Sequence, residues 1–226
     1  MNNEERIIAS WEANANSWID LIESNGIASR KLITNKAIVD AVSNREPVTA
    51  LDLGCGEGWL SKALQEKGIR LTGADVVPAL IEKAKEKIAG DFVVASYEDI
   101  AGQDNFFGQQ FDAIIINFAL LGKESTEQLL AALPRYLSSP GKLFIQTLYP
   151  DSRKSIDDYT TGWKDGSWDG LGEQFMMPYQ WYFRTMEDWY LLLHRSGFHH
   201  LKVREVLHPQ SSLPLSVIFE CAVSKT

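Results

Sequence analysis

The spacing of hydrophobic residues predicts two amphipathic helices at the start of the chain. Apolar side chains recur there at three- and four-residue steps, which is the spacing of one face of an α-helix. Asn25 and Gly26 form a break between the two helices, and Ser29 is a candidate N-cap for the second. The second helix ends at the break of residues 44–47. We therefore expect residues 1–46 to form a helical cap on the rest of the protein.

From Val48 onward, short apolar runs alternate with amphipathic stretches, which is typical of βαβ units and a mostly parallel sheet. The pattern predicts strands near 48–53, 69–74, 91–95, 111–117 and 141–148. It predicts helices near 58–67, 78–89, 124–138 and 186–196. A long segment at 150–184 fits neither pattern, and the runs near 198–206 and 215–223 read as an antiparallel hairpin. The expected fold class is α/β, with a doubly wound sheet of seven strands and an insert after strand five.

Composition and charge restrict the class of protein further. The 226 residues suit a single α/β domain, and no run approaches the roughly 18 apolar residues that a membrane helix requires. The amino terminus is acidic and has no signal-peptide pattern, which favours the cytoplasm. A net charge of −8 with no basic stripe argues against nucleic acid as a partner. We expect a soluble monomer or homodimer with no membrane partner.

Cysteine and histidine spacing does not predict a metal site. Cys55 and Cys221 stand far apart and belong to no C-x-x-C pair, which disfavours both a disulfide scaffold and a thiolate metal site. The four histidines occur late in the chain without the spacing of a helix-borne metal pair. No metal is therefore expected.

A glycine-rich turn is the strongest chemical signal. The sequence LDLGCGEG, from Leu51 to Gly58, follows a predicted strand and opens a predicted helix, where the backbone must turn sharply and approach a ligand closely. Asp75 ends the next strand, 21 positions after Gly54, where a carboxylate can accept hydrogen bonds from ribose hydroxyls. Strand, glycine turn, helix, strand and acidic residue in this order predict a site for a nucleoside cofactor.

Two classes of cofactor share this topology. Dinucleotide sites use G-x-G-x-x-G, but Trp59 stands where the third glycine would be. S-adenosylmethionine has no pyrophosphate and presents an ammonium and a carboxylate instead. Asp52, just before the turn, is a reasonable direct or water-mediated partner for the ammonium, whereas Glu57 is assigned to the positive end of the following helix dipole.

LDLGCGEG resembles motif I of the class I, Rossmann-like S-adenosylmethionine-dependent methyltransferases, and LTGADVVPALIEKAKEK resembles the segment that follows it in that family. The likeness extends over residues 48–148 and implies the strand order 3-2-1-4-5-7-6 with an antiparallel last strand. It also implies S-adenosyl-L-methionine as cofactor and S-adenosyl-L-homocysteine as product, with Asp75 on the ribose and Val76 beside the adenine. VVASYEDI resembles the family's turn after strand three, which borders the adenine. FDAIIINFALL resembles the family's strand four, whose carboxyl end lies beneath the cofactor. The cofactor-binding residues expected in all are Asp52, Gly54, Cys55, Gly56, Asp75, Val76, Ser96, Tyr97, Glu98, Asn117, Phe118 and Arg30.

The chain departs from the family's nucleic-acid and protein-amide enzymes at the end of strand four. Those enzymes commonly carry (D/N)-P-P-(F/Y/W), whereas this chain reads NFAL from Asn117. The departure favours a small-molecule acceptor methylated on an O, N or C atom. The resemblance further divides the chain into a cofactor-binding half at 47–149, an insert at 150–184 and a carboxyl-terminal helix and hairpin at 185–226.

The insert and its surroundings hold many large aromatic residues among glycines and aspartates. It is interpreted either as a lid over the acceptor or as a satellite core or dimer face, and the two readings are compatible. No catalytic residue is assigned; Tyr149, Tyr182 and His208 are candidate general bases, and Arg184 is a candidate anion partner. A nicotinamide-dependent oxidoreductase and a non-catalytic S-adenosylmethionine-binding module remain as alternative functions.

Overall fold

A computed structural model describes residues 1–24, 26–27, 30–153 and 159–223 of the chain. The helices are α1 (Asn3–Glu23), α2 (Asn35–Ser43), α3 (Trp59–Gln65), α4 (Pro78–Lys87), α5 (Tyr97–Ala101), α6 (Glu124–Ala132) and α7 (Met186–Arg195). The strands are β1 (Thr49–Leu53), β2 (Arg70–Asp75), β3 (Asp91–Val94), β4 (Phe111–Asn117), β5 (Leu137–Leu148), β6 (Gly162–Asp165), β7 (Gln180–Phe183), β8 (Phe198–Leu207) and β9 (Pro214–Val223). No helix within these ranges is long and apolar enough to cross a membrane.

The main sheet has the order β3-β2-β1-β4-β5-β9-β8. Numbered along the chain without the two strands of the insert, this is the expected order 3-2-1-4-5-7-6. The final strand β9 runs antiparallel to both of its neighbours, β5 and β8. The predicted fold class and the reversed last strand are confirmed.

The sheet is buried on both faces, as a parallel sheet flanked by helices must be. Successive residues of β4 show this directly, since Ile114 and Ile116 belong to one core cluster and Ile115 to the other. Leu129 of α6 and Trp189 of α7 pack in the first cluster. The second contains side chains of α2, α3 and α4. The continuous apolar run of β4 in the sequence therefore reflects burial on two faces rather than one.

Three details differ from the sequence prediction. The insert contains a two-stranded sheet of β6 and β7, which the pattern left as irregular. The short helix α5 follows β3, where Ser96 and Asp99 form a capping box. The helix predicted at 124–138 ends at Ala132, because Pro134 has no N–H to continue it and a 3₁₀ turn over Leu133–Tyr136 leads into β5.

The N-terminal cap also begins differently from the expectation. The second helix starts as a π-helical turn over Arg30–Thr34 before α2. The candidate N-cap Ser29 lies outside the described residues, as does Asn25 of the predicted break. Helix α1 packs on α4, where Glu23 forms ion pairs of 3.2 Å with Lys83 and with Lys87. Ala15 of α1 also packs against Val77 and Leu80 at the start of α4, so the cap is attached beside the end of β2 as well.

Candidate functional site

The turn after β1 requires glycine for two separate reasons. Gly54, Gly56 and Gly58 have φ angles of +69°, +57° and +83°, a region that other residues rarely adopt. A Cβ at Gly54 would lie 2.4 Å from the Cβ of Ala119, and one at Gly58 would lie 2.4 Å from Cδ1 of Ile88. The glycines therefore allow both the left-handed turn and its close approach to neighbouring elements.

Asp75 joins this turn to the end of β2. One carboxylate oxygen accepts a hydrogen bond of 2.9 Å from the backbone N–H of Gly56, and the other accepts one of 2.9 Å from that of Val77. Burial raises the pKa of Asp75, and these two backbone hydrogen bonds oppose the rise. Each oxygen still has a second lone pair, so the carboxylate can accept further hydrogen bonds from a ligand.

A cavity of about 730 Å³ opens at this edge of the sheet. Its size is within the roughly 300–1,000 Å³ that is usual for small-molecule sites. Its walls include eleven of the twelve residues that the sequence assigned to cofactor binding: Arg30, Gly54, Cys55, Gly56, Asp75, Val76, Ser96, Tyr97, Glu98, Asn117 and Phe118.

Asp52 is the exception: the sequence predicted a direct or water-mediated partner for the ammonium of the cofactor, whereas the structure turns this side chain away from the cavity. Its side chain is 1% exposed and is not among the cavity residues. The carboxylate instead accepts a hydrogen bond of 2.7 Å from Oγ of Ser61 on α3, because its position in β1 faces that helix. Burial raises the pKa of Asp52 to about 7, and the nearby carboxylates of Asp75 and Glu57 add to the effect.

Glu57 lies on the cavity wall, a role that the sequence prediction did not give it. Its side chain is 1% exposed, and one carboxylate oxygen accepts a hydrogen bond of 3.2 Å from Nε1 of Trp18. Arg30 is nearby, with its guanidinium 5.1 Å from the ring centre of Trp18 and 5.3 Å from that of Trp59. An acidic residue inside a glycine turn was the available signal, but its partners come from distant parts of the chain.

The end of β4 forms another part of the wall. Phe118 has a φ of +55°, which is unusual for a residue other than glycine, and its N–H donates to the carbonyl oxygen of Gln146 at 2.8 Å. The side-chain oxygen of Asn117 is buried and has no hydrogen-bond partner within the described residues. Tyr97 donates from its hydroxyl to the carbonyl oxygen of Ala119 at 3.2 Å. A sharp backbone turn thus presents Asn117 and Phe118 beside the glycine loop.

The opposite side of the cavity consists of α1 and the insert, which we call the roof. The roof residues on the wall are Glu4, Ile7, Ile8, Trp11 and Trp18 from α1, and Asp165, Gly166, Ser167, Trp168, Leu171, Tyr179 and Trp181 from the insert. Trp168 contacts Trp11 edge to face, with 5.0 Å between ring centres, and stacks on Phe175 at 5.1 Å. The aromatic residues of the insert are therefore covered by α1 and by one another.

Polar groups hold the two parts of the roof together. Asn14 of α1 is buried, donates to the carbonyl oxygen of Met176 at 2.6 Å and accepts from the N–H of Met176 at 2.8 Å. Trp168 donates from Nε1 to Oγ of Ser10 at 3.1 Å. At its start, α1 is tied to α6, because Glu4 accepts from the backbone N–H groups of Lys123 and Glu124 at 2.7 and 2.9 Å. The roof is therefore also attached to the start of α6, which follows β4 in the chain.

The candidate bases and the candidate anion partner lie outside the cavity wall. Tyr149 donates to Glu205 at 2.8 Å, and Nδ1 of His208 accepts from two backbone N–H groups of its own turn. Arg184 is 3% exposed and donates to the carbonyl oxygens of Gly122 and Lys123, so it supports the loop after β4. Tyr182 packs against Arg184 with its ring. Each of these four residues therefore contacts other parts of the protein, and none of them lines the cavity.

Comparison with known proteins identifies the fold around this cavity. Residues 51–145 match the family described as "Methyltransferase domain". This match covers less than half of the chain and shows that these residues resemble a methyltransferase domain. The resemblance that LDLGCGEG implied is confirmed, and the matched range contains the glycine turn, Asp75 and the end of β4.

Proteins named as O-methyltransferases are similar to part of the chain. The chain is 29% identical to a ubiquinone biosynthesis O-methyltransferase of Xanthomonas oryzae pv. oryzae over 155 residues, which are 65% of this chain and 62% of that protein. It is 30% identical over 103 residues to a malonyl-[acyl-carrier protein] O-methyltransferase of Anoxybacillus flavithermus, with 45% of this chain and 39% of that one covered. The chain thus spans less than two thirds of the length of these relatives.

Solved structures share the whole fold. A 1,6-didemethyltoxoflavin-N1-methyltransferase of Burkholderia thailandensis, with bound 1,6-didemethyltoxoflavin and S-adenosylhomocysteine, superposes with a TM-score of 0.66 at 18% identity, covering 99% of this chain and 92% of that one. A putative S-adenosylmethionine-dependent methyltransferase of Listeria monocytogenes superposes with a TM-score of 0.62 at 22% identity, over 78% of this chain and 91% of that one. At these identities the likeness establishes the fold alone.

Proposed function

We propose that the chain transfers a methyl group from S-adenosyl-L-methionine to a small-molecule acceptor. The observation that carries the proposal is a single cavity with the glycine turn and Asp75 on one side and an aromatic roof on the other. When bound, the cofactor supplies an electrophilic methyl group on a positively charged sulfur. The residues fit such a ligand, because buried Glu57 and Arg30 each keep a side-chain polar atom without a hydrogen-bond partner in the described structure.

The glycine turn after β1, the end of β2, the turn after β3 and the end of β4, which we call the floor, divide among the parts of the cofactor. Asp75 is positioned to accept hydrogen bonds from the ribose hydroxyls, with Val76 beside the adenine and Ser96, Tyr97 and Glu98 at its rim. A Cβ at Gly56 would meet nothing within 4 Å, so the turn of Gly54, Cys55 and Gly56 leaves open space at Gly56 for the methionine part. Burial raises the pKa of the Cys55 thiol well above its usual value, so it is a neutral packing group rather than a nucleophile.

The aromatic residues of the roof support the proposal of an acceptor that is planar and apolar. Methyl transfer is an in-line displacement, so the enzyme must align the acceptor with the methyl group and exclude water. Trp11, Trp168 and Trp181 offer flat apolar surface for this, and Asn117 offers an unpaired oxygen at the end of β4. We therefore propose that residues of about 150–184, together with α1, cover the acceptor. No general base is assigned.

Calorimetry with S-adenosylhomocysteine, S-adenosylmethionine and NAD tests the cofactor assignment. We expect both sulfur nucleosides to bind and NAD not to bind. Binding of NAD alone would instead support the oxidoreductase. A panel of phenolic, heteroaromatic and amine acceptors is then assayed for formation of S-adenosylhomocysteine. Cofactor binding without turnover, combined with capture of a defined protein partner through the insert, would support the non-catalytic module.

We also propose where the protein is located in the cell and how its chain divides into segments. Cys55 and Cys221 are buried and unpaired, which suits the reducing cytoplasm. We propose a monomer or homodimer that acts on a metabolite rather than on nucleic acid. We also retain 1–46 as cap, 47–149 as cofactor half, 150–184 as insert and 185–226 as the carboxyl-terminal unit.

A further inference from the structure

Thr34 carries a buried hydroxyl that makes neither of the hydrogen bonds usual for a threonine at the start of a helix. It is the N-cap of α2, but its side chain accepts no hydrogen bond from a backbone N–H of that helix. A threonine in a helical turn can instead donate to a carbonyl oxygen of the preceding turn. Here Oγ1 has no hydrogen-bond partner among the described residues, although Thr34 is only 5% exposed. A buried polar atom without a partner lowers the stability of the free protein, which indicates that a ligand completes it.

Two further oxygens without a partner lie in the same region. Oε1 of Gln146 and Oδ1 of Asn117 are buried and accept no hydrogen bond from the described part of the chain. Gln146 contacts Thr34 directly, because its Nε2 donates to the carbonyl oxygen of Thr34 at 3.3 Å and to Oγ of Ser216 at 2.9 Å. Asn117 is the partner of Gln146 in the parallel register of β4 and β5. The three oxygens therefore belong to residues gathered at the ends of these two strands, next to the turn that precedes α2.

The hydrogen-bonding chemistry of this region indicates what kind of ligand group fits it. Thr34 and Asn117 both lie on the wall of the cavity. An amide oxygen can only accept a hydrogen bond, whereas a hydroxyl can accept as well as donate. The carbonyl oxygen of Thr34 sets the orientation of the Gln146 amide, because it can receive only the NH₂ group. The complement of these oxygens is therefore a ligand group that supplies an N–H or an O–H.

We propose that Thr34 and Asn117 form a subsite that accepts a hydrogen bond from an N–H or O–H group of the methyl-accepting substrate. The substrate class is then a planar phenol or N–H heteroaromatic compound rather than a hydrocarbon or thioether of the same shape. This rests on the proposed function, because it assumes that such a substrate lies beside the cofactor. The aromatic side chains of the roof select a flat substrate, and the subsite recognises the polar group at its edge.

Thr34→Val tests the subsite first without any ligand, because it replaces the hydroxyl by a methyl group of similar size. Since no hydrogen bond is lost, we expect an unchanged or higher melting temperature. The control is Thr185→Val: Thr185 is 9% exposed and caps α7, where its hydroxyl accepts from the N–H of Asp188 at 3.2 Å. This change should lower the melting temperature by about 2–4 °C. An equal loss in the Thr34 variant, or a failure of that variant to fold, would overturn the proposal, because the hydroxyl would then already have a partner in the free protein.

Paired probes of similar shape then test recognition, with S-adenosylhomocysteine held at saturation. The pairs are 2-naphthol with 2-methylnaphthalene and indole with benzothiophene, and NMR titration measures each affinity. The unaltered protein should bind the O–H or N–H member of each pair at least about tenfold more tightly. Thr34→Val should reduce this ratio to about threefold or less, and Thr34→Ser should retain it. The affinity for S-adenosylhomocysteine should stay within about twofold in both variants.

The outcomes separate the subsite from the proposed function. Equal affinity within both pairs for the unaltered protein would reject the subsite, as would binding of none of the four probes. A ratio that persists in Thr34→Val would show that shape rather than the hydroxyl discriminates between the probes, which also counts against the proposal. Failure of the unaltered protein to bind S-adenosylhomocysteine would instead reject the proposed function itself.

Discussion

The floor and the roof of the cavity are built in different ways. In the floor, the N–H groups of Gly54 and Cys55 donate to the carbonyl oxygen of Ala74, and Asp75 accepts from Gly56 and Val77. These groups lie on adjacent parallel strands and the turns that follow them. In the roof, Asn14 bonds to Met176 across 162 positions of sequence, and Trp168 bonds to Ser10 across 158.

The two regions also differ in their relation to the family model that matches the chain. The floor lies inside the matched range of 51–145, and α1 and the insert lie outside it. A floor made of backbone turns and one carboxylate can be retained while the roof changes, because few floor contacts depend on roof side chains. We therefore propose that the floor, together with Arg30 of the cap, recognises the cofactor and that the roof selects the acceptor.

The largest effect is expected beneath the floor, at Asp52. Its pKa of about 7 in the folded protein exceeds the ordinary value of 3.8, so the folded state binds a proton that the unfolded state releases. The stability that Asp52 contributes is therefore lost as the pH rises from about 4 to about 7. Asp52→Asn should remove this dependence and stabilise the protein at about pH 8 by up to ~4 kcal/mol, with a smaller gain at about pH 5. Thermal unfolding at both pH values measures it, and a gain that does not depend on pH would contradict the cause given.

The second-largest effect is expected on ligand affinity, from a substitution in the floor alone. Asp75→Ala removes a buried carboxylate proposed to hold the ribose, so affinity for S-adenosylhomocysteine should fall by about 2–4 kcal/mol. The loss should be the same for 5′-methylthioadenosine, which has the same ribose. Asp91→Ala, an exposed change at the start of β3, is the matched control. An unchanged dissociation constant in folded protein would remove Asp75 from the site.

A smaller effect is expected when the roof is loosened. Asn14→Ala deletes the side chain that pairs with both backbone groups of Met176, at a cost of about 1–3 kcal/mol. Hydrogen exchange should accelerate in α1 and around residues 176–181, while S-adenosylhomocysteine affinity stays within about threefold. Asn16→Ala, an exposed change on the same helix, is the control. Faster exchange in β1 and β2 to the same degree would show that floor and roof are not independent.

The smallest effect concerns a single roof side chain. Trp181→Ala removes an aromatic wall from the cavity, so kcat/KM should fall about tenfold, with the cofactor dissociation constant nearly unchanged. Trp163→Ala is a close control, because Trp163 lies on the paired strand, contacts Tyr182 and is not on the wall. Exchange in the insert that slows with protein concentration but not with ligands would identify a dimer face and contradict the lid.

Most of the fold could be predicted because its signals are local. Apolar runs and glycine turns recur in the order of the elements, and β4 and α7 begin where the pattern places them. The strands of the insert could not be predicted in this way. β6 and β7 have four residues each, and their pairing depends on a return of the chain across the intervening segment.

The residues of the candidate site also divide into those that the sequence could predict and those that it could not. LDLGCGEG and Asp75 could be assigned from sequence because neighbouring parallel strands end at one edge of the sheet, so residues that follow them meet there. The orientation of Asp52 towards Ser61 could not be predicted from the sequence, since it depends on the side of β1 against which α3 packs. The role of Glu57 was missed for the same reason, because Trp18 and Arg30 reach it from the N-terminal cap.

The periodicity of the sequence by itself determined the elements of the sheet, the resemblance of LDLGCGEG to a known family implied their order, and the glycine turn with Asp75 predicted where a nucleoside would bind. Only the tertiary structure decided which buried carboxylate faces the cavity and which aromatic residues enclose it. The physical reason is that the surroundings of Glu57 and of the roof depend on contacts between segments separated by 39 to more than 150 positions, and the orientation of Asp52 depends on the side of β1 against which α3 packs. Such contacts result from the packing of whole elements, and the local pattern of the chain does not contain them.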